Sequence, residues 1–379
     1  MERVQDFVVV RRGRVRAAGD CDVSVIMPTT SWEEPFESCA RRVLTLLDVT
    51  AITAEFIVVH DGRAARRPRW LRRNGVRVMG TRQARGPAAA RNKAAAAARG
   101  DVLFFVDADV ELAGDALDRV HAAFAGDDPP SAVFGAYDDA PAAAGVVSQF
   151  RNLLHHHTHV THPGRASSFW AGCGAVRAAQ FHDVGGFDDT YTVPSVEDIE
   201  LGTRIAACGG RIELDPLLRG KHHKRWTLRS MVVTDITGRA VPWTKLMLKG
   251  GRLPATLNVD WKNRISGVLA VAGLATACVA AVTGRGWPAA GACLAVVVTL
   301  NLDFYLLCGR RRGPGFALAA AALHFLFFVY SSLTFGTVIL KTLAARLWSR
   351  RVCPSPVSKS VPPPMVAIAA TDAAPLMTG

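Results

Sequence analysis

From just past Asp260 to about Leu340 the chain is almost continuously apolar, and this confines it to folds that place the block in a bilayer or in a very large core. Crossing a bilayer takes roughly 20 apolar residues. Ile265 to Thr283, Trp287 to Cys308 and Phe316 to Leu340 all meet that length. Core helices of soluble proteins are rarely this long and this uniformly apolar, so residues 265–345 are read as a helical transmembrane region of about three spans. Asp303 and His324 are the polar exceptions, expected to pair across helices or to face the protein interior. Arg310, Arg311 and Arg312, between the second and third stretches, mark a cytoplasmic loop by the positive-inside rule. Three spans leaving a cytoplasmic N-terminal domain would put the tail outside, yet Lys341, Arg346, Arg350 and Arg351 argue that it is inside. A re-entrant span, or a basic segment at the far interface, would reconcile the two.

The remainder is long enough for one large domain, since the chain has 379 residues. Almost all acidic residues precede Asp260, and that composition break is the main boundary. With 45 Lys+Arg against 32 Asp+Glu, the formal charge is +13, which suits phosphates or anionic head groups. No zinc-finger or RNA-binding signature is present, so nucleic acid is discounted as a partner. The eight cysteines include no C-x-x-C pair, which argues against a disulfide framework or a zinc site and for a reducing compartment. Met1 to Asp20 lacks a long apolar stretch, so no secretory signal is read there and the polar domain is expected in the cytoplasm. Residues 1–21 form an N-terminal extension. Residues 346–379, rich in Pro, Ser and Ala from Pro354, read as a disordered tail.

Within the polar part, Asp22 to Pro28, Glu55 to His60, Val76 to Met79 and Val102 to Val106 read as strands. Ser38 to Asp48 and the alanine-rich Ala88 to Arg99 read as helices. This alternation indicates a parallel sheet with helices on both faces, and ligands of such sheets bind at the carboxyl ends of the strands. The last of these strands ends in Asp107-Ala108-Asp109. Carboxylates two residues apart on an extended segment point to the same side, an arrangement that suits Mg²⁺ or Mn²⁺ held together with substrate phosphates. Gly86-Pro87 opens the helix before that strand, whose free N–H groups can receive a phosphate, with Arg91 and Asn92 in its first turns. Further on, Val184 to Asp188 leads to Pro194-Ser195-Val196-Glu197-Asp198. Ser195 with Asp198 matches a capping box, and Glu200 with Arg204 an i,i+4 pair; alternatively, one of the carboxylates takes a proton from an acceptor. His155, His156, His157, His159 and His162 are read as a solvated loop or helix face rather than a second metal site, because no carboxylate or cysteine accompanies them. Thr227 to Lys249 reads as an interfacial amphipathic segment, within a boundary region 227–264.

Taken in order, V-S-V-I-M-P, V-V-H-D-G, R-G-P-A-A-A-R-N-K-A, G-D-V-L-F-F-V-D-A-D, V-G-G-F-D and E-D-I-E-L-G-T-R resemble the family 2 glycosyltransferases over roughly Val23 to Trp226. The resemblance implies an α/β fold, a GT-A nucleotide-sugar-binding domain with a Rossmann-like mixed sheet over residues 22–226. It also implies roles. Pro28 and Asp61 line the nucleoside pocket, Arg91 lies near the donor, Asp107 and Asp109 hold the metal, and Asp198, with Glu197, supplies the catalytic base. His60 and Thr29-Thr30 depart from the usual acidic residue and tyrosine-asparagine, which leaves the base identity open. His222-His223-Lys224-Arg225-Trp226 resembles the Q-x-x-R-W motif of membrane synthases. That implies Arg225 at the donor diphosphate and Trp226, with Gly172, at the acceptor, and it leaves His222 or His223 as a further metal ligand. A basic run at the start of a membrane-surface segment accounts for the same residues.

The expectation is therefore a multi-pass cell-membrane enzyme with its catalytic domain on the cytoplasmic face. It would move a sugar, with inversion, from a nucleotide-sugar donor to a lipid or lipid-linked acceptor, aided by Mg²⁺ or Mn²⁺. A processive polysaccharide synthase, a silent membrane scaffold and a nucleotidyltransferase are the alternatives; retention of Asp107, Asp109 and Asp198 weighs against the scaffold.

Overall fold

A computed structural model describes residues 21–63, 66–250 and 260–352. The N-terminal extension before Cys21, the residues 251–259 of the boundary region and the tail beyond Val352 lie outside the described residues. Strands and helices alternate as β1 (Cys21–Thr29), α1 (Phe36–Val49), β2 (Ala54–His60), α2 (Arg69–Arg73), β3 (Arg77–Gly80), α3 (Gly86–Ala95), β4 (Gly100–Val106) and β5 (Val110–Leu112). There follow α4 (Ala116–Phe124), β6 (Ala132–Tyr137), α5 (Val146–Val160), β7 (Gly164–Ala166), β8 (Cys173–Arg177), α6 (Ala178–Asp183), α7 (Glu197–Ala207) and β9 (Ile212–His222).

One mixed sheet runs β3-β2-β1-β4-β8-β6-β9-β5, with β7 added on β9. The half formed by β3, β2, β1 and β4 is parallel, as the sequence alternation indicates. The other half departs from it, because β8 runs antiparallel to both β4 and β6. The fully apolar β4 is explained by its position: Phe104 and Val106 pack with α1 and α4 on one face, while Leu103 and Phe105 pack with α3, α6 and α7 on the other. A strand covered on both faces has no reason to alternate. Strand order reverses between β1 and β4, so their carboxyl ends open a crevice of the kind that receives ligands in open α/β sheets.

Gly86 is the backbone hinge at the mouth of this crevice. Its φ is +88°, and a Cβ there would come within 2.6 Å of the Thr192 backbone. Both features exclude a side chain, so Gly86→Ala is expected to lower stability by about 1–3 kcal/mol, read as a fall in thermal midpoint.

After β9 the chain enters one continuous helical stretch: α8 (Leu228–Val233), a π-helix (Thr234–Ala240) and α9 (Val241–Gly250). Asp235 in the π-turn is buried and accepts from Arg151 of α5 at 2.6 Å, Arg239 at 3.0 Å and the Tyr330 hydroxyl at 2.6 Å. A buried carboxylate with this many partners is costly to neutralise. Asp235→Asn is expected to cost roughly 3 kcal/mol, seen in a thermal melt of the detergent-solubilised protein. An unshifted melt would show that the node contributes nothing to stability.

The apolar block folds as α10 (Trp261–Thr283), α11 (Trp287–Leu300), α12 (Leu302–Arg312) and α13 (Pro314–Val352). Two of these, Trp261–Thr283 and Pro314–Trp348, are long and apolar enough to cross a membrane. The stretch expected as the second span is bent by 67° between α11 and α12, and counts as a third only if the bent pair is one span. At the bend Asn301 donates to Ser266 at 2.9 Å. Helix α13 continues to Val352, so the stretch 346–352 expected in the tail is helical. The chain divides into two compact units, residues 1–338 and 339–379; the described part of the second is the end of α13. The two polar exceptions differ: His324 is buried with Tyr305 Oη 3.3 Å from its Nδ1, whereas Asp303 is half exposed and 3.3 Å from His157.

Candidate active site

The site is built around a buried arginine. Ala-rich α3 packs flat on the sheet through Ala88, Ala90, Ala94 and Ala95, and that close approach drives Arg91 inward to 5% side-chain exposure. Its guanidinium donates to Asp107 Oδ1 at 2.7 Å and to Glu197 Oε1 at 3.0 Å. One fork thus joins the end of β4 to the start of α7, with Arg91 and Glu197 106 positions apart in sequence. Burial works against the charge of Arg91, and the carboxylates of Asp107, Glu197 and Asp198 outweigh it. The residue expected at the donor is therefore tied up in positioning carboxylates.

Asp198 follows on α7. Its Oδ2 accepts from Ala171 N at 3.2 Å and its Oδ1 from Ile199 N at 2.8 Å. The next residue in the same loop, Gly172, accepts from Asp107 N at 3.1 Å. Ala171 and Gly172 thus link Asp198 to Asp107. A Cβ on Gly172 would lie 2.5 Å from the Trp170 ring, so the loop passes too close to that ring for any side chain. Loss of solvation, then the neighbouring Glu197, push the Asp198 carboxyl up to about 7, while Arg91 and the two N–H groups pull it down. The capping box is not formed: α7 has no side-chain cap. Ser195 Oγ instead donates to Gly238 O of the π-helix at 3.1 Å, and Ser195 N donates to Glu197 Oε2 at 2.8 Å. Glu200 and Arg204 do pair at 2.6 Å.

Asp107 keeps a third of its side chain open; burial raises its pKa, against the pull of Arg91. Asp109 is held low: burial pushes it up, but His222 and Lys224 more than compensate. His222 Nε2 is 3.7 Å from Asp109 Oδ2. His223 turns elsewhere, 2.7 Å from Glu111. Two hard carboxylates with one imidazole beside them fit Mg²⁺ or Mn²⁺. Among the described residues no group of three His, Cys, Asp or Glu could hold a metal by itself, a donor set that substrate phosphates would complete.

At the nucleoside end, Pro28 lies within β1 opposite Val59. Asp61 uses both carboxylate oxygens on the next loop, accepting from Thr81 Oγ1 at 2.7 Å, Arg85 N at 2.9 Å and Gly86 N at 2.9 Å. It shapes the start of α3. His60, buried beside it, lies 4.7 Å from the Trp32 ring.

Other expectations change. The histidines do not form a solvated face: His156 and His159 are buried on α5 and His155 is half-buried, with His156 and His159 bonded to the Tyr137 and Gly135 carbonyls. Tyr137 stacks on His222 at 4.2 Å and reaches Trp170 at 4.8 Å, so this aromatic set backs the Asp109 side of the site. Burial, together with the other histidines and Arg151, keeps His155 neutral. Trp226 is 6% exposed, packed with Phe150, Met231 and Phe304, which leaves no ring face for a sugar; Arg225 is exposed. Sequence reading missed Asn92 as an anchor: it donates to Phe187 O at 2.8 Å and Asp189 at 2.6 Å, and accepts from Phe187 N at 2.9 Å. The short polar side chain one position after Arg91 was the available signal.

Residues 24–172 match the family model for glycosyl transferase family 2, and residues 151–224 that for the N-terminal domain of galactosyltransferase. Curated relatives include a pre-mycofactocin glycosyltransferase of Mycobacterium tuberculosis, recorded in two strains, 27% identical over 263 residues. That match covers 62% of this chain and 52% of the relative, so the chain spans about half the length of the curated relatives it matches. Among solved structures, a mannosyltransferase from Pyrobaculum calidifontis in complex with GDP-mannose and Mn²⁺ superimposes with a TM-score of 0.56 at 20% identity, covering 81% of this chain and 87% of that one. Motif series, sheet topology and family model agree: residues 24–172 match glycosyl transferase family 2 within a mixed-sheet domain of GT-A fold, and helices long and apolar enough to cross a membrane follow.

Proposed function

We propose that this protein is a membrane-bound inverting glycosyltransferase, moving a sugar from a nucleotide-sugar donor to a lipid or lipid-linked acceptor at the cytoplasmic membrane face. The observation that carries the reading is the Arg91 bridge, which holds the Asp107 end of the metal motif and the Glu197-Asp198 motif in one crevice at 2.7 and 3.0 Å. Nucleotide-sugar binding draws support from the match to glycosyl transferase family 2 and from the GDP-mannose and Mn²⁺ of the Pyrobaculum structure.

In this reading Asp198 accepts the proton of the acceptor hydroxyl as that oxygen attacks the anomeric carbon. With its carboxyl near neutrality, it is poised to be ionised before attack and to hold a proton after it. Glu197 pairs with Arg91 at 3.0 Å and keeps α7 in register. Asp107 and Asp109, together with the donor phosphates, would hold the divalent ion, with His222 beside Asp109; that ion when bound would neutralise the leaving diphosphate. A single displacement with a single base inverts the anomeric centre, by the geometric logic of inverting glycosidases. Membrane placement is supported by the continuous interfacial helix from Leu228 to Gly250, and by Arg311 and Arg312, which bond Asp139 and Gln149 beside the catalytic domain. That contact supports a reading in which the basic loop and the catalytic domain share one side, the cytoplasmic one by the positive-inside rule.

The test is donor hydrolysis and transfer by the full chain in detergent, with a panel of nucleotide sugars and membrane lipids as acceptors. Metal-dependent transfer into an organic-extractable product is expected, abolished by chelation and restored by Mn²⁺ or Mg²⁺. A long water-soluble polymer would support a processive synthase instead. Absence of any nucleotide-sugar binding or turnover would remove the transferase reading.

A further inference from the structure

A cavity of about 290 Å³ lies between α5, β9 and α12. It is separate from the crevice above: Arg219 lines it from β9, and Arg219 and His222, three positions apart on one strand, leave opposite faces. Its polar wall combines Arg219, His156, His157 and Arg311 with one carboxylate, Asp139. That carboxylate is already paired with Arg311 at 2.7 Å. Arg219 Nε donates to Pro216 O at 3.1 Å. Among the described residues, its guanidinium has no carboxylate partner and its Nη groups no hydrogen bond. Its apolar lining is Val160, on the same face of α5 as His156 and His157, and Leu307, one turn before Arg311 on α12. Helix α12, which carries Leu307, buries Phe304, Tyr305 and Cys308 against the protein and exposes Leu302 and Leu306. Bent 67° from α11 and ending in three arginines, it has the form of a helix lying in a head-group plane.

We propose that this cavity binds a phosphate ester carried by a membrane lipid, with the phosphate on Arg219 and the lipid's apolar portion along Leu307 and Val160. A guanidinium with free Nη groups presents the fork that matches two phosphate oxygens. A site that sets one guanidinium without a carboxylate partner beside the apolar Val160 and Leu307 favours a phospholipid over a free anion. The inference rests on the membrane placement proposed above but not on sugar transfer, and it is tested by binding alone.

The full chain, delipidated in detergent, is presented with phosphatidylglycerol, phosphatidylcholine or inorganic phosphate, and retained ligand is counted by native mass spectrometry. Both lipids carry a phosphate, and the net anionic one is expected to be kept in preference. Arg219→Gln should weaken that retention on the order of tenfold by removing a charge-assisted fork, with an unchanged thermal melt. Arg219→Lys should keep part of it, and Leu307→Trp should block it by filling the cavity. If Arg219→Gln unfolds the protein, Leu307→Trp carries the test. Lipid retention unaffected by both variants overturns the site. Inorganic phosphate held in an Arg219-dependent way, with no lipid retained, overturns the lipid source. Failure of sugar transfer in the separate activity assay leaves this readout unaltered, so the two readings fall independently.

Discussion

Asp198→Asn is expected to lose transfer by about 10²–10⁴-fold, the range a positioned general base supplies, with donor binding retained. The same substitution should stabilise the protein at alkaline pH. The folded pKa of Asp198, about 7, lies above the ordinary carboxylate value, so between the two the folded state holds a proton that the unfolded state has released. Stability from this group therefore falls as pH rises through that window, and Asn, which never ionises, escapes the loss. Activity runs the other way: kcat/KM should rise with pH along an acid limb near 7 as Asp198 ionises. A melt in which Asp198→Asn is destabilised at every pH would mark the residue as structural and sink its role as base.

Arg91→Met is expected to be the most destabilising substitution in the catalytic domain. It leaves Glu197, whose side chain is 6% exposed, and Asp107 without their shared counter-charge, and breaking such a buried pair costs about 3–5 kcal/mol. Arg91→Lys should recover little, because a point charge cannot reach two carboxylates with a fixed fork. Pairing Arg91→Met with Glu197→Gln should restore much of the melting temperature, since the more deeply buried of the two stranded charges is gone, but not turnover. Where turnover survives, removing Arg91 should move the acid limb to higher pH, because Arg91 lowers the Asp198 pKa. A double variant no more stable than Arg91→Met would show that the bridge is not the source of the cost.

Much of the fold was legible in local patterns. The expected strands Asp22 to Pro28 and Glu55 to His60 appear as β1 and β2, and the apolar run at Val102 to Val106 as β4. The parallel half of the sheet follows from their alternation with helices. The antiparallel half did not, because β6 and β8 are joined by a long excursion through α5 and β7 that carries no periodicity signal for its return. The apolar block was recognisable by length, whereas the kink at Asn301 was not, since a polar residue inside an apolar run reads equally as a span end.

What the sequence determined by itself is what depends on neighbours in the chain: strand and helix identity, the D-x-D at a strand end, the E-D pair at a helix start, and helices of membrane length. What only the tertiary structure decided is which polar groups are buried and with whom. Arg91 reads as a donor-site residue at a helix start until Asp107 and Glu197 converge on it. The histidines of α5 read as a solvated face until β6 supplies carbonyls for two of them, and Trp226 reads as a sugar platform until α5 and α12 close over it. Burying a polar group is tolerable only with a partner, and here the partners lie far away along the chain, where no local period can announce them.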